Sequence, residues 1–244
     1  MEQMTWIEIK EAFDNGVDTV LVGFGSIEQH GPHLPISTDA ITATKLCQKV
    51  AEKFGDVLVA PTINIGSSKN HMVLPGTIDI DTGLLEKYLM DYCMCLVHHG
   101  FKNIFIIPTH GGNFQIAEKV EENMLNETRA QVKACYKGAD FVRLMRKTSA
   151  ELNIPGEIAG THSGEQETSI MMYLCEEFVR KDMLQRGFVG DYDKERYKVL
   201  ESGMTALSAN GIIGDATRAS RDRGKIYVDS LVDFIIDNIK RYRK

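Results

Sequence analysis

Between Asn103 and Pro108 the chain reads Ile104-Phe105-Ile106-Ile107, four large apolar residues with no polar alternation. A strand that faces water on one side alternates. An unbroken run needs cover on both faces, as in a parallel sheet held between helices. Thr19-Val20-Leu21-Val22 forms a second hydrophobic run. Strands are expected at Thr19–Gly23, Val57–Pro61, Ile104–Pro108 and Gln131–Tyr136. Helices are expected at Ala40–Phe54, Thr82–His99, Phe114–Asn126, Gln166–Cys175 and Lys225–Tyr242. Thr38 or Asp39 suits the cap of the first helix, Asp81 or Thr82 that of the second, and Gly100 a stop after His99. This alternation implies right-handed crossovers and a mainly parallel sheet. Residues 186–224, polar and weakly periodic, read as loops. No repeat, linker or low-complexity stretch divides the 244 residues, so residues 1–244 are expected to form a single α/β domain.

A formal net charge of −6 argues against nucleic acid as the main partner, because phosphate binding needs a basic footprint. The basic end, Lys240-Arg241-Tyr242-Arg243-Lys244, reads as the solvated last turn of a helix. No apolar run is long enough to span a membrane, and the first residues lack the pattern of a signal peptide. The five cysteines fall mostly in apolar segments, as buried thiols do in a reducing compartment. A cytoplasmic protein is expected.

Three clusters carry chemistry. After the first strand comes Glu28-Gln29-His30-Gly31-Pro32-His33-Leu34-Pro35, with Thr38-Asp39 close behind. Glu, His and Asp are ligands that divalent metals choose, and strand ends are where an α/β fold aims side chains into one crevice. Gly23-Phe24-Gly25 does not make a dinucleotide fingerprint, because Glu28 stands where its third glycine belongs. The second cluster, Thr109-His110-Gly111-Gly112-Asn113, follows the apolar strand, and His110 there reads as a ligand. Asn113 suits a helix cap, or a hydrogen bond to a ligand or to a carboxylate behind one, equally well. The third is His162-Ser163-Gly164-Glu165-Gln166-Glu167-Thr168-Ser169. Its two glutamates lie at a helix N-terminus, which favours carboxylates whatever their function. His162 has the side-chain type suited to carrying a proton near neutrality. His98 and His99 read as structural at a helix end. His71 reads as a member of the crevice or of a simple turn, and His33 as a residue oriented by its own loop.

Together these clusters resemble the creatininase family of metal-dependent amidohydrolases, from Glu28 to Ser169 and in the family's order. The resemblance implies a three-layer α/β sandwich with a central, mainly parallel sheet. It also implies a compact homo-oligomer, often a hexamer, a small-molecule substrate and two divalent ions per chain (zinc, manganese or iron). Glu28 and His110 would hold one ion, His30 the other, and Asp39 would bridge them. In creatininase itself, a Glu two residues after the counterpart of His110 completes the second ion's ligands. Gly112 stands there in this chain, and Glu165 is the expected replacement, as in members with a His-x-Gly-Glu pattern.

The expected chemistry is hydrolysis of a cyclic amide, formamide or similar C–N bond by a water activated between two ions. His162 would supply the leaving nitrogen's proton and Glu167 would orient His162 or the water. Other members act on cyclic sugar derivatives or short modified peptides, which stay open as alternatives. A binding module that only sequesters metal or a small ligand is the reading from another class, since fold does not fix function.

Overall fold

A computed structural model describes residues 1–243. Its centre is a four-stranded, all-parallel sheet of β1 (Thr19–Phe24), β2 (Leu58–Val59), β3 (Asn103–Pro108) and β4 (Gln131–Ala134), in the order β2-β1-β3-β4. Every residue of β1 and β3 is buried. Alternate side chains explain the missing polar alternation. Val20, Val22, Ile104 and Ile106 pack on one face with α3 (Thr82–His99) and α4 (Phe114–Glu127). Leu21, Phe105 and Ile107 pack on the other with α2 (Thr38–Phe54) and α9 (Arg221–Tyr242). Two helix layers thus enclose the sheet, as expected.

The remaining helices are α1 (Trp6–Asp14), α5 (Gly138–Glu151), α6 (Gly156–Ala159), α7 (Glu165–Leu174) and α8 (Tyr192–Ser202). Helix α8 lies within the stretch expected to be loops, and α1 and α5 were not anticipated. Each is amphipathic over only a few turns, and none of α1's residues is buried. β2 has only two residues, because Pro61 follows closely and cannot donate to a ladder. Asp81 caps α3 by accepting from the Gly83 and Leu84 amides, and Gly100 ends it in the left-handed region. Neither Thr38 nor Asp39 caps α2; Ser37 occupies that position, so Asp39 sits inside the first turn, free for another task. No described helix is long and apolar enough to cross a membrane.

Candidate metal centre

The carboxyl ends of β1, β2 and β3 open into one crevice, the place where such folds gather functional side chains. The loop after β1 brings Glu28 and His30, the first turn of α2 brings Asp39, and the loop after β3 brings His110. The loop after β2 adds His71, the connection from α6 into α7 adds His162, and the first turn of α7 adds Glu167. Glu28, His30, Asp39 and His110 are all buried.

The imidazoles show what this crevice is built for. His30 donates from Nδ1 to its own loop, the Glu28 carbonyl, at 3.1 Å. His110 donates from Nε2 to the Ser67 carbonyl at 2.7 Å. In its neutral form each ring is thereby left with one nitrogen without a proton, and both of these nitrogens face carboxylates. His110 Nδ1 stands 3.2 Å from Glu28 Oε2 and 3.3 Å from Asp39 Oδ2. His30 Nε2 stands 3.5 Å from Asp39 Oδ1 and 3.7 Å from Glu167 Oε2. Lone pairs aimed at anions repel unless a cation or a proton lies between them. Glu28 Oε2, His30 Nε2 and Asp39 Oδ2 are buried without any hydrogen-bond partner, a cost that a cation would relieve. The donor atoms of Glu28, Asp39 and His110 lie within 4.8 Å of one another, as do those of His30, His162 and Glu167. This donor set fits divalent ions.

Protonation follows the same field. Burial alone would push the His30 imidazole down, but Asp39, helped by Glu167 and Glu28, holds it up at about 10. His110 is likewise raised against burial by Glu28 and Asp39. Burial works to raise Asp39, yet His30 and His110 keep it well below the usual carboxylate range. Glu167 goes the other way: burial, with Asp39 and Glu28 nearby, lifts it to about 7 despite His30 and the Ser163 amide. Its side chain is still 30% exposed. Burial, with His30 and His71 beside it, holds His162 well below the ordinary histidine value, so it stays neutral.

Glu165 does not join this cluster. Its carboxylate is fully buried and turned toward α9, where it accepts from Arg223 Nε at 2.7 Å, Tyr227 OH at 2.9 Å and Ser169 Oγ at 2.9 Å. The two glutamates are two positions apart on a helix and therefore point in different directions. Glu167 is the one aimed at His30. Gly112, where the family resemblance implies a Glu, has no room for a side chain. A Cβ there would lie 2.1 Å from the Ser67 carbonyl and 2.7 Å from His110 Nε2, on the bond that orients His110.

Asn113 caps nothing. Its amide donates to the Gly25 carbonyl at 2.8 Å and accepts from Ser67, tying the three loops together. His33 donates to or accepts from Thr168 Oγ1 at 2.8 Å, outside the cluster. His98 and His99 lie in the last turn of α3, remote in the fold from the crevice loops. Sequence reasoning gave no role to Gln29 or Ser67. The signal for Gln29 was its place between two ligand candidates; for Ser67 there was none, since it acts through its backbone.

Beside His162 and Glu167 lies an open cavity of about 670 Å³. Phe141 and Met145 of α5, Ile170, Val189 and Tyr192 give it apolar walls.

The sequence profile of creatinine amidohydrolases, the creatininase family, matches residues 2–239. The chain belongs to the creatininase family. It is 31% identical to the mycofactocin precursor peptide peptidase of Mycolicibacterium smegmatis over 93% of this chain and 86% of that one. It is 26% identical to the creatinine amidohydrolase of Pseudomonas putida, covering 98% and 95% of the two chains. Among solved structures, a manganese form of creatininase superposes with a TM-score of 0.83 at 24% identity, over 99% of this chain and 97% of that one. The protein is thus a creatininase-family hydrolase with side-chain clusters able to bind metal.

Proposed function

We propose that this creatininase-family protein is a metal-dependent amidohydrolase whose centre is Asp39. Glu28 and His110 would hold one ion with it, and His30 and Glu167 the other. The observation that carries this reading is the pair of imidazole nitrogens turned to Asp39. Each is fixed by a backbone carbonyl on its far side, and each is aimed at a different oxygen of Asp39. Divalent ions supply Lewis acidity toward a carbonyl and lower the pKa of water from 15.7 toward ~7.

The protein's own groups do the rest. Asp39 and Glu28 concentrate negative charge where cations are needed, inside a wall that excludes bulk water. His162 is neutral and lines the cavity, so it can take a proton from the attacking water and pass it to the departing amine nitrogen. Water's oxygen bonds to the carbonyl carbon, the C–N bond breaks, and the products are a carboxylate and an amine. Both Glu167 and His162 line the cavity, within reach of a carbonyl bound there.

The cavity volume supports a peptide-like amide as substrate, because a pocket of this size encloses a drug-sized ligand. The likeness to a peptide peptidase supports the same choice. A small cyclic amide is the second reading, favoured by the likeness to the Pseudomonas putida enzyme. The sole tryptophan, Trp6, is 75% exposed on α1 and gives the cavity no indole wall for a small planar ring. Manganese- or zinc-loaded protein should be screened against short peptides, cyclic amides and formamides, with amine release as the readout. Peptide turnover well above the other classes is expected. Turnover confined to creatinine or a formamide would reverse the choice of substrate.

A further inference from the structure

Gln29 lies between Glu28 and His30, is almost wholly buried, and turns its side chain into a cage of two imidazoles and a glycine. Its Oε1 accepts from the Gly31 amide at 3.0 Å, and its Nε2 donates to the Gly211 carbonyl at 3.2 Å. A backbone amide can only donate and a carbonyl can only accept, so these two partners fix which way round the amide sits. Gly211 permits the approach. It adopts φ +75°, and a Cβ there would stand 2.0 Å from Gln29 Oε1.

One proton of Gln29 Nε2 remains, and two ring nitrogens lie within reach: His71 Nδ1 at 3.1 Å and His162 Nε2 at 2.9 Å. His162 Nε2 also lies 2.8 Å from the Gln29 backbone carbonyl, which accepts only from a donor. A single assignment gives every one of these atoms a partner. His162 Nε2–H donates to the carbonyl, and the remaining amide proton goes to His71 Nδ1. The reverse choice leaves both the carbonyl and His71 Nδ1 unpaired.

We infer that Gln29 and its backbone carbonyl give the two histidines opposite characters toward the reaction: His162 presents a bare Nδ1, and His71 presents Nε2–H. Both rings carry their proton on Nε2 but turn opposite ends inward. The two presented atoms flank the same oxygen, Glu28 Oε1, at 3.6 Å for His162 and 3.7 Å for His71. A proton acceptor and a hydrogen-bond donor thus stand side by side, their ring centroids 4.5 Å apart. His162 Nδ1 is placed to take the water's proton, and His71 Nε2–H to donate to a carbonyl oxygen as its negative charge develops. A ligating nitrogen must carry no proton. His71 is therefore a donor and not a metal ligand, although its Nε2 lies close to donor atoms of Glu28 and His162. The consequences for catalysis rest on the amidohydrolase reading; the proton positions do not.

The test is long-range proton–nitrogen NMR of the full-length, zinc-loaded protein labelled with 15N-histidine, the signals being assigned with His71→Gln and His162→Gln variants. Both rings are expected in the Nε2–H form. In Gln29→Glu the carboxylate can only accept, so His71 is expected to switch to Nδ1–H while His162 does not change. The kcat of that variant is expected to fall tenfold or more, with KM within about twofold. An Nδ1–H ring at His71 or His162 in the unmutated protein would overturn the inference. So would a folded Gln29→Glu variant whose His71 proton does not move. If that variant fails to fold, the unmutated spectrum decides alone. The expected spectrum in a protein that cleaves no amide would sink the proposed function and leave this inference standing.

Discussion

Glu165 Oε1 accepts from Arg223 Nε at 2.7 Å, joining the first residue of α7 to the start of α9. The carboxylate is fully buried and the guanidinium side chain is 27% exposed. A pair of this kind costs about 3–5 kcal/mol to break when one partner is removed, because the other charge is stranded. The bond fixes the start of α7, and with it the direction in which Glu167 points two residues later.

Glu165→Gln is therefore expected to lower Tm by roughly 6–20 °C, taking about 2–4 °C per kcal/mol for a chain of this size. Glu167→Gln is expected to leave Tm of the metal-free protein within about 2 °C, but to weaken one of two ions in calorimetric titration. The opposite pattern would return the ligand role to Glu165.

Asp39 faces His30 through Oδ1 and His110 through Oδ2. Asp39→Ala should thus be the most damaging of the proposed ligand changes, and elemental analysis should find both ions lost. Glu28→Ala should lose one. Retention of two ions by Asp39→Ala would rule out its position between them.

Gly112→Glu would place a carboxylate where the family resemblance implies a ligand. The structure gives the opposite expectation, since even a Cβ collides with the Ser67 carbonyl and with His110 Nε2. Gly112→Ala and Gly112→Glu are both expected to weaken the ion held by His110, by tenfold or more in apparent Kd. A glutamate variant that binds metal more tightly would show that the loop yields.

Two histidines should impose opposite pH dependence on the metal-free protein. His30 is raised to about 10 in the fold against about 6.5 unfolded, so its stabilisation is full below 6.5 and is lost as pH rises through about 10. His33 is lowered to about 4 by burial and by His30, so the unfolded chain takes its proton first. Its contribution is present above 6.5 and fades as pH falls toward 4. Urea denaturation from pH 4 to 10 should give a maximum between these limits. His33→Asn should flatten the acid side only, by up to about 1.4 kcal/mol per pH unit. An unchanged acid limb would contradict this view of His33.

The sheet was legible because a both-faced strand leaves an unmistakable trace, as Ile104 to Ile107 show. Helix α8 was not, since Val199 is its sole buried residue and a helix so placed leaves little apolar periodicity. Glu28, His30, Asp39, His110 and His162 were readable as candidates because each lies in or just after a strand-end or helix-end segment that carries glycine or proline. The choice between Glu165 and Glu167 was not. Their local sequence is nearly symmetrical, and what separates them is Arg223 and Tyr227, some sixty positions away. Gly112 looked like a missing ligand and is instead a position where the Ser67 carbonyl excludes one.

The measurement that bears most directly on the centre is anomalous diffraction from crystals soaked in manganese or zinc, recorded at the metal's absorption edge. Two peaks are expected, one among Glu28, Asp39 and His110 and one among His30, Asp39 and Glu167. No peak in the crevice, or a single peak between Glu28, His71 and His162, would contradict an Asp39-centred pair.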